Sequence, residues 1–212
     1  MRTLDWYVDF VSGFAYLQFE ALERLPGDVE IVYRPVLFAG LLKHFGHKGP
    51  AEIAEKRRFT YSQWAWLASA QGVLFRMPPA HPFNPLAPLR LALALGCERD
   101  VIATIFRFIW RDGNEFETAA SWRQLAQRLG VVDADALIGD PGVKAALREA
   151  TRLAAARGVF GVPTCIVDDE LFWGADATPM VLDFLGDGAF YQRGELARAR
   201  EVPVGTARKQ PA

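Results

Sequence analysis

The sequence predicts an α/β protein whose single sheet is split into two halves by a long helical block. Three observations carry this. Residues 4–36 read as strand, helix and strand, the length of a βαβ unit, which makes the two strands parallel. Residues 41–157 then turn to helical periodicity and loops. Near the end, two short apolar runs return around a two-residue turn, and a last helix follows them.

The elements justify this in order. Residues 4–11 alternate, with Leu4, Trp6, Val8 and Phe10 on one face, as a strand requires. Residues 14–25 change period: Phe14, Leu17, Ala21, Leu22 and Leu25 fall on one helical stripe. Pro26-Gly27-Asp28 ends that helix, and residues 29–36 alternate again. Residues 46–50 are a loop. Residues 51–71 read as a helix whose aromatics, Phe59, Tyr61, Trp64 and Trp66, leave its buried face unassigned. Residues 77–88 hold Pro78, Pro79, Pro82, Pro85 and Pro88, a loop leading into a helix. Asn84-Pro85 fits an N-cap followed by proline at the first helical position, and that helix runs to Gly96. Ile102, Ile105, Phe106 and Ile109 stripe a helix over residues 99–111, and residues 118–129 form another, closed by Gly130. Asp140-Pro141 repeats the cap-then-proline signal and starts a helix ending at Gly158. Residues 164–167 and 170–173 form a hairpin around Asp168-Asp169, and Thr178-Pro179 caps a last helix to Gly186. One sheet then forms only if its halves meet across the helical block. That is a thioredoxin-like fold with an inserted all-α domain. Residues 1–40 and 158–200 are its two parts, residues 41–157 the insertion, and residues 201–212, with little to bury, a flexible tail.

Composition removes several functions. The chain has 212 residues, 51% hydrophobic and 23% charged, an ordinary globular balance. A net charge of -1 offers no basic surface for nucleic acid. The most apolar stretch, residues 101–110, is too short for a membrane span and carries Arg107. Met1 leads directly into the first strand without the pattern of a signal peptide, so a cytoplasmic protein is expected. Cys97 and Cys165 lie far apart, outside any C-x-x-C, and are expected as packed thiols rather than a disulfide. Three scattered histidines and two distant cysteines show no metal-ligand spacing. The 15 Phe and 6 Trp require an aromatic core or pocket.

Two positions carry chemistry. Ser12 follows the first strand and precedes the first helix, where an N-cap sits. Free backbone N–H groups and the positive end of the helix dipole stabilise an anion there, a thiolate included. A thiol docked at that point has a lowered pKa. Plain capping accounts for Ser12 equally well when it is taken alone. The second position is Gly161-Val162-Pro163-Thr164, directly before a strand. A cis bond at Pro163 would expose the Val162 backbone to an extended peptide, as an added strand would use it. A simple proline-initiated strand is the alternative.

Together these residues resemble the 2-hydroxychromene-2-carboxylate isomerases and the kappa-class glutathione transferases, relatives of the DsbA oxidoreductases. Residues 7–17, Tyr-Val-Asp-Phe-Val-Ser-Gly-Phe-Ala-Tyr-Leu, look like the family opening D-F-x-S-P-[YF]-S-Y-L. Residues 159–164 followed by residues 171–176 look like V-F-G-V-P-T…W-G-x-D. The resemblance runs over residues 4–186. It implies glutathione as cofactor and Ser12 as the catalytic serine holding its sulfur as thiolate. Val162, before Pro163, matches the residue whose backbone pairs with the cysteinyl unit. Trp173, Gly174, Ala175 and Asp176 match the segment near the γ-glutamyl end, where a carboxylate suits an ammonium. On the substrate side it implies Phe14, Lys43 and Phe83, with Lys43, Arg57 or Arg58 meeting a substrate carboxylate. The chain departs from the pattern twice. Gly13 stands where the family has proline, which gives up a pre-organised helix start and holds the serine less firmly. His47 stands for a loop asparagine among the glutathione contacts, able to donate to a carboxylate. For His44 and His81, surface or loop roles are expected.

The function implied is isomerisation of a small aromatic α-keto or hemiketal acid. Glutathione thiolate adds to a conjugated carbon, the former double bond rotates, and elimination returns the cofactor. A kappa-class-like glutathione transferase and a non-catalytic DsbA-family binding protein are the alternatives. A dithiol oxidoreductase is disfavoured, since Ser12 takes the place of the first active-site cysteine. The resemblance also implies a homodimer.

Overall fold

A computed structural model, which describes residues 2–22, 25 and 27–206, brings the two halves into one four-stranded sheet of order β2-β1-β3-β4. Strand β1 (Arg2–Val8) runs parallel to β2 (Val29–Pro35), with Leu4 opposite Ile31 and Trp6 opposite Tyr33. Strand β3 (Thr164–Val167) runs antiparallel to β1, with Trp6 opposite Cys165 and Tyr7 opposite Thr164. It turns into β4 (Glu170–Trp173) through Asp168 and Asp169, at φ 48° and 66°. Positive φ at both central residues is what a two-residue hairpin turn needs, and Asp tolerates it.

Ten α-helices surround this sheet among the described residues: α1 (Gly13–Leu22), α2 (Phe38–Phe45), α3 (Ala54–Gln71), α4 (Leu86–Ala94), α5 (Arg99–Phe106), α6 (Ala119–Arg128), α7 (Ala134–Gly139), α8 (Pro141–Ala156), α9 (Thr178–Gly186) and α10 (Gly194–Arg200). Alternation along β1 divides the core in two. Leu4, Trp6, Val8 and Phe10 point into the larger cluster with Phe19 of α1, Phe106 of α5 and Phe184 of α9. Trp6 is fully buried there against Phe19, Tyr33 and Phe106. Tyr7 and Ile166 point to the other face, onto Leu41 of α2 and Ala154 and Ala155 of α8. The thioredoxin-like sheet and its helical insertion are therefore as the sequence predicts.

Local differences have physical causes. Strand β1 stops at Val8, before the expected residue 11, because the Asp9 carboxylate turns the chain by accepting the N–H of Val11 at 3.1 Å and of Phe38 at 2.8 Å. Helix α1 ends at Leu22, and residues 23, 24 and 26 of the expected helix and its stop lie outside the described residues. The helix expected over residues 99–111 widens into a π-helical turn at Arg107–Arg111. Helices α7 and α10 are short, and their length leaves too few turns for a periodic pattern. Of the caps read from sequence, Asp140 is present and accepts from Val143 at 2.9 Å. The other two are displaced by one residue: α4 is preceded by Pro85 at its N-cap, with Asn84 Oδ1 accepting from Leu86 one step earlier, and Thr178 is the first residue of α9, its hydroxyl donating to the Ala175 carbonyl at 2.7 Å. Residues 207–212 of the expected tail lie outside the described residues.

Candidate active site at the end of the first strand

Pairing of Tyr7 with Thr164 puts the end of β1 beside the start of β3. The turn at residues 9–12 and the Val162-Pro163 step therefore lie at one end of the sheet. Ser12 is buried, 8% exposed, and its Oγ accepts the Ala15 N–H at 3.2 Å. That is N-cap geometry. Among the described residues the Ser12 hydroxyl finds no acceptor for its own hydrogen, and the N–H groups of Gly13 and Phe14 find none either. Three donors are thus left free at the positive end of a ten-residue helix.

The Val162–Pro163 bond is cis. Val162 is buried, yet its main-chain N–H and C=O make no hydrogen bond among the described residues. The Pro163 carbonyl accepts the Gly174 N–H at 2.9 Å, which ties residues 173–176 to the cis step. Trp173 is 54% exposed and packs on Phe160 with ring centroids 5.0 Å apart. Gly161 permits this: a Cβ there would lie 2.6 Å from Trp173 Nε1. Ala175 is half-buried and Asp176 exposed, in the short helical turn that follows.

Gln18, which the sequence reading missed, joins these pieces. Its side chain is buried in α1, accepts from Trp6 Nε1 at 2.7 Å, and donates to the Gly174 carbonyl at 3.1 Å and Thr178 Oγ1 at 3.0 Å. A polar residue among the apolar neighbours of α1 is the signal in the sequence that marks it. Cys165 is buried beside it, and burial pushes its thiol up to about 12, so it packs as a small apolar group.

The turn itself is held from several sides. The Ser12 N–H donates to the Asp9 carbonyl at 3.1 Å. Trp110 Nε1, carried on the π-helical turn, donates to the Phe10 carbonyl at 2.8 Å. His81 Nε2 lies 2.8 Å from the Val11 carbonyl. The looser serine expected from Gly13 is not what this geometry shows. Trp64 of α3 packs against Gly13 so closely that a Cβ there would lie 2.6 Å from its ring. Proline cannot occupy that position with Trp64 in place. Trp64 is 4% exposed, and its buried indole N–H has no hydrogen-bond partner among the described residues, so packing sets its place. Asp9 is fully buried, and burial raises its carboxyl to about 7 against the lowering effect of its two backbone N–H partners.

Around Trp64 the rings gather. Phe14 meets it edge-on at 5.6 Å, Tyr61 stacks at 5.3 Å, and His81 and Trp110 pack edge-on at 5.3 and 5.2 Å. Phe83 lies 5.8 Å from His81 and 5.0 Å from Phe116. The predicted substrate residues Phe14 and Phe83 thus belong to one aromatic wall beside Ser12. His81 does sit in a loop, as expected, but its ring belongs to this wall. Lys43 and His47 are placed differently. Lys43 is exposed on α2, and His47 is exposed just past its end, its N–H closing on the Leu42 carbonyl at 2.8 Å. Among the described residues no hydrogen bond links either side chain to the Ser12 turn. His44 is exposed against Phe45. No cluster of three metal-ligating side chains occurs among the described residues.

Residues 3–186 match the family model of the DSBA-like thioredoxin domain. The 2-hydroxychromene-2-carboxylate isomerase of Sphingobium xenophagum is 32% identical over 194 residues, covering 87% of this chain and 96% of that protein. Glutathione S-transferase kappa 1 of Rattus norvegicus is 25% identical over 211 residues, covering 88% of this chain and 92% of its own length. A solved 2-hydroxychromene-2-carboxylate isomerase superposes with a TM-score of 0.79 at 22% identity, over 94% of this chain and 98% of that one.

Proposed function

Because the chain belongs to the DSBA-like thioredoxin-domain family, we propose that it is a glutathione-dependent isomerase of a small aromatic α-keto or hemiketal acid. One observation carries this reading: free donors at the Ser12 turn stand at the same sheet end as an unpaired Val162 main chain before a cis proline. A cysteinyl peptide needs both, a strand-like partner for its backbone and an anion site for its sulfur. The similarity to an isomerase at 32% identity supports the choice of reaction.

Bound glutathione supplies a thiolate that adds reversibly to a conjugated carbon and leaves unchanged. The chain's own residues set up that chemistry. The Ser12 hydroxyl and the first-turn N–H groups hold the sulfur in its charged form. Val162 and Pro163 fix the cysteinyl backbone, and Trp173, Gly174, Ala175 and Asp176 take the γ-glutamyl end, with His47 as a further contact. Phe14 and Phe83 offer apolar surface to the aromatic ring, and Lys43 meets the carboxylate. In this reading residues 1–40 and 158–200 bind the peptide, and the insertion at residues 41–157 builds the substrate side. A homodimer and a cytoplasmic location belong to the same proposal. Among the described residues no helix is long and apolar enough to cross a membrane.

Similarity to a kappa-class glutathione transferase favours a second reading, in which the adduct is the product. Mass spectrometry of the reaction mixture separates the two, since an isomerase leaves no adduct behind.

The test begins with reduced glutathione titrated into wild type and Ser12→Ala, with thiolate absorbance followed across pH. Wild type is expected to bind and to lower the thiol pKa. Ser12→Ala is expected to bind and to lower it less, by roughly one unit, the worth of one charge-assisted hydrogen bond. A folded wild type that does not bind glutathione overturns the proposal.

A further inference from the structure

His81 is the one histidine drawn into the aromatic wall, and both its ring nitrogens are engaged. Nε2 lies 2.8 Å from the Val11 carbonyl, and Nδ1 lies 2.6 Å from the Tyr61 hydroxyl. A carbonyl only accepts, so Nε2 must carry the hydrogen. In the neutral ring Nδ1 is then an acceptor, and the Tyr61 hydroxyl donates to it. The same hydroxyl also lies 2.9 Å from the His81 carbonyl, but it has one hydrogen to give. Burial holds the His81 pKa below its ordinary value, against the raising effect of the Val11 carbonyl, and raises that of Tyr61. Both groups are therefore held in the states this arrangement needs.

The Val11 carbonyl shares a rigid peptide plane with the Ser12 N–H. Holding that oxygen from one side, while the Asp9 carbonyl holds the N–H at 3.1 Å from the other, fixes the plane leading into Ser12 and α1. We propose that His81 is a positioning residue for Ser12, with Tyr61 anchoring its ring from the Nδ1 side. His81 touches neither thiol nor substrate in this role. It orients the free donors at the helix start toward one point. The inference rests on the glutathione reading above.

The experiment compares wild type with His81→Phe, His81→Gln and Tyr61→Phe. Phenylalanine keeps the ring packing on Trp64 and removes the donor, whereas glutamine restores an N–H at similar reach. The readouts are the ionisation constant of bound glutathione thiol, by thiolate absorbance, and the imidazole tautomer, by nitrogen NMR. His81→Phe should weaken thiol ionisation about tenfold while affinity at low pH, where the thiol is neutral, changes less than about twofold. His81→Gln should recover most of the loss. Tyr61→Phe leaves Nε2 facing the Val11 carbonyl, so the Nε2–H tautomer should persist, while loss of the anchor at Nδ1 should weaken ionisation about threefold. Wild-type ionisation in His81→Phe, or no recovery in His81→Gln, overturns the inference. If His81→Phe does not fold, Tyr61→Phe decides, and an unchanged ionisation overturns it. A wild type that binds no glutathione fails before any variant is compared, and this marks the failure of the glutathione reading itself.

Discussion

In the turn at residues 9–13, the carbonyls of Phe10 and Val11 are held by ring nitrogens of Trp110 and His81, and Gly13 is packed under Trp64. At the far end of α2 the style changes, for the side chains of Lys43 and His47 project from the surface without a hydrogen bond or ion pair among the described residues. The two regions are joined at one point, the buried Asp9 carboxylate, which bonds Val11 on the turn and Phe38 at the start of α2. A site that must lower a thiol pKa needs fixed dipoles, because preorganised donors do not reorganise when charge forms. A site that must admit and release a carboxylate is served by a long, solvated side chain. The proposed roles of Ser12 and Lys43 ask for that contrast between clamped and exposed.

Asp9 offers the largest way to sharpen the comparison. Its folded-state pKa is about 7 against an ordinary 3.8. The folded form therefore holds a proton that the unfolded chain gives up above pH 4. Stability from this group is fully present below pH 4 and lost as pH rises through 7. Relative to Asp9→Asn, wild type should lose ~2 kcal/mol of unfolding free energy between pH 5 and pH 7 and level off above about pH 8. Urea unfolding across that range measures it. Parallel curves for the two proteins would show that the junction between turn and α2 carries no buried titration.

A second, smaller effect tests the clamp. Gly13→Ala places a Cβ 2.6 Å from the Trp64 ring, and overpacking of this kind costs about 1–3 kcal/mol. In a Trp64→Leu background the same change should cost less than about 0.5 kcal/mol, since the crowded atoms are gone. Equal costs in both backgrounds would mean that Trp64 does not explain glycine here.

How much of this was legible in the sequence depended on range. Strands β3 and β4 lie where residues 164–167 and 170–173 were read, because Pro163, Asp168-Asp169 and Gly174 punctuate them within a few positions. Ser12 as a cap and Val162–Pro163 as a cis step were also readable, since each is decided by neighbours in the chain. The clamp was not. Trp110 reaches Phe10 across 100 residues and His81 reaches Val11 across 70. Apolar periodicity assigns a ring to the core but does not say which carbonyl its N–H meets. Residues 99–111 kept the same apolar stripe whether their last turn was α or π, so the widening that carries Trp110 left no mark. Gln18 was passed over because its partners, Gly174 and Thr178, lie at the other end of the chain.

The exposed region should give the smallest change in stability and the sharpest separation of stability from binding. Lys43→Ala and His47→Ala remove side chains that are exposed and unpaired among the described residues, so each should shift unfolding free energy by less than about 0.5 kcal/mol. If Lys43 meets a substrate carboxylate, Lys43→Ala should raise KM for the proposed aromatic acid about tenfold, the scale of one exposed charge-assisted contact, with glutathione affinity unchanged. His47→Ala should do the reverse, weakening glutathione by a few-fold and leaving KM for the acid alone, while His47→Asn keeps a donor and restores affinity. Steady-state kinetics at saturating glutathione, set beside calorimetry, resolve the two. Should both variants change the same constant, the exposed segment would be one surface with one ligand, and the division between a clamped thiol site and an open acid site would have to be redrawn around the aromatic wall.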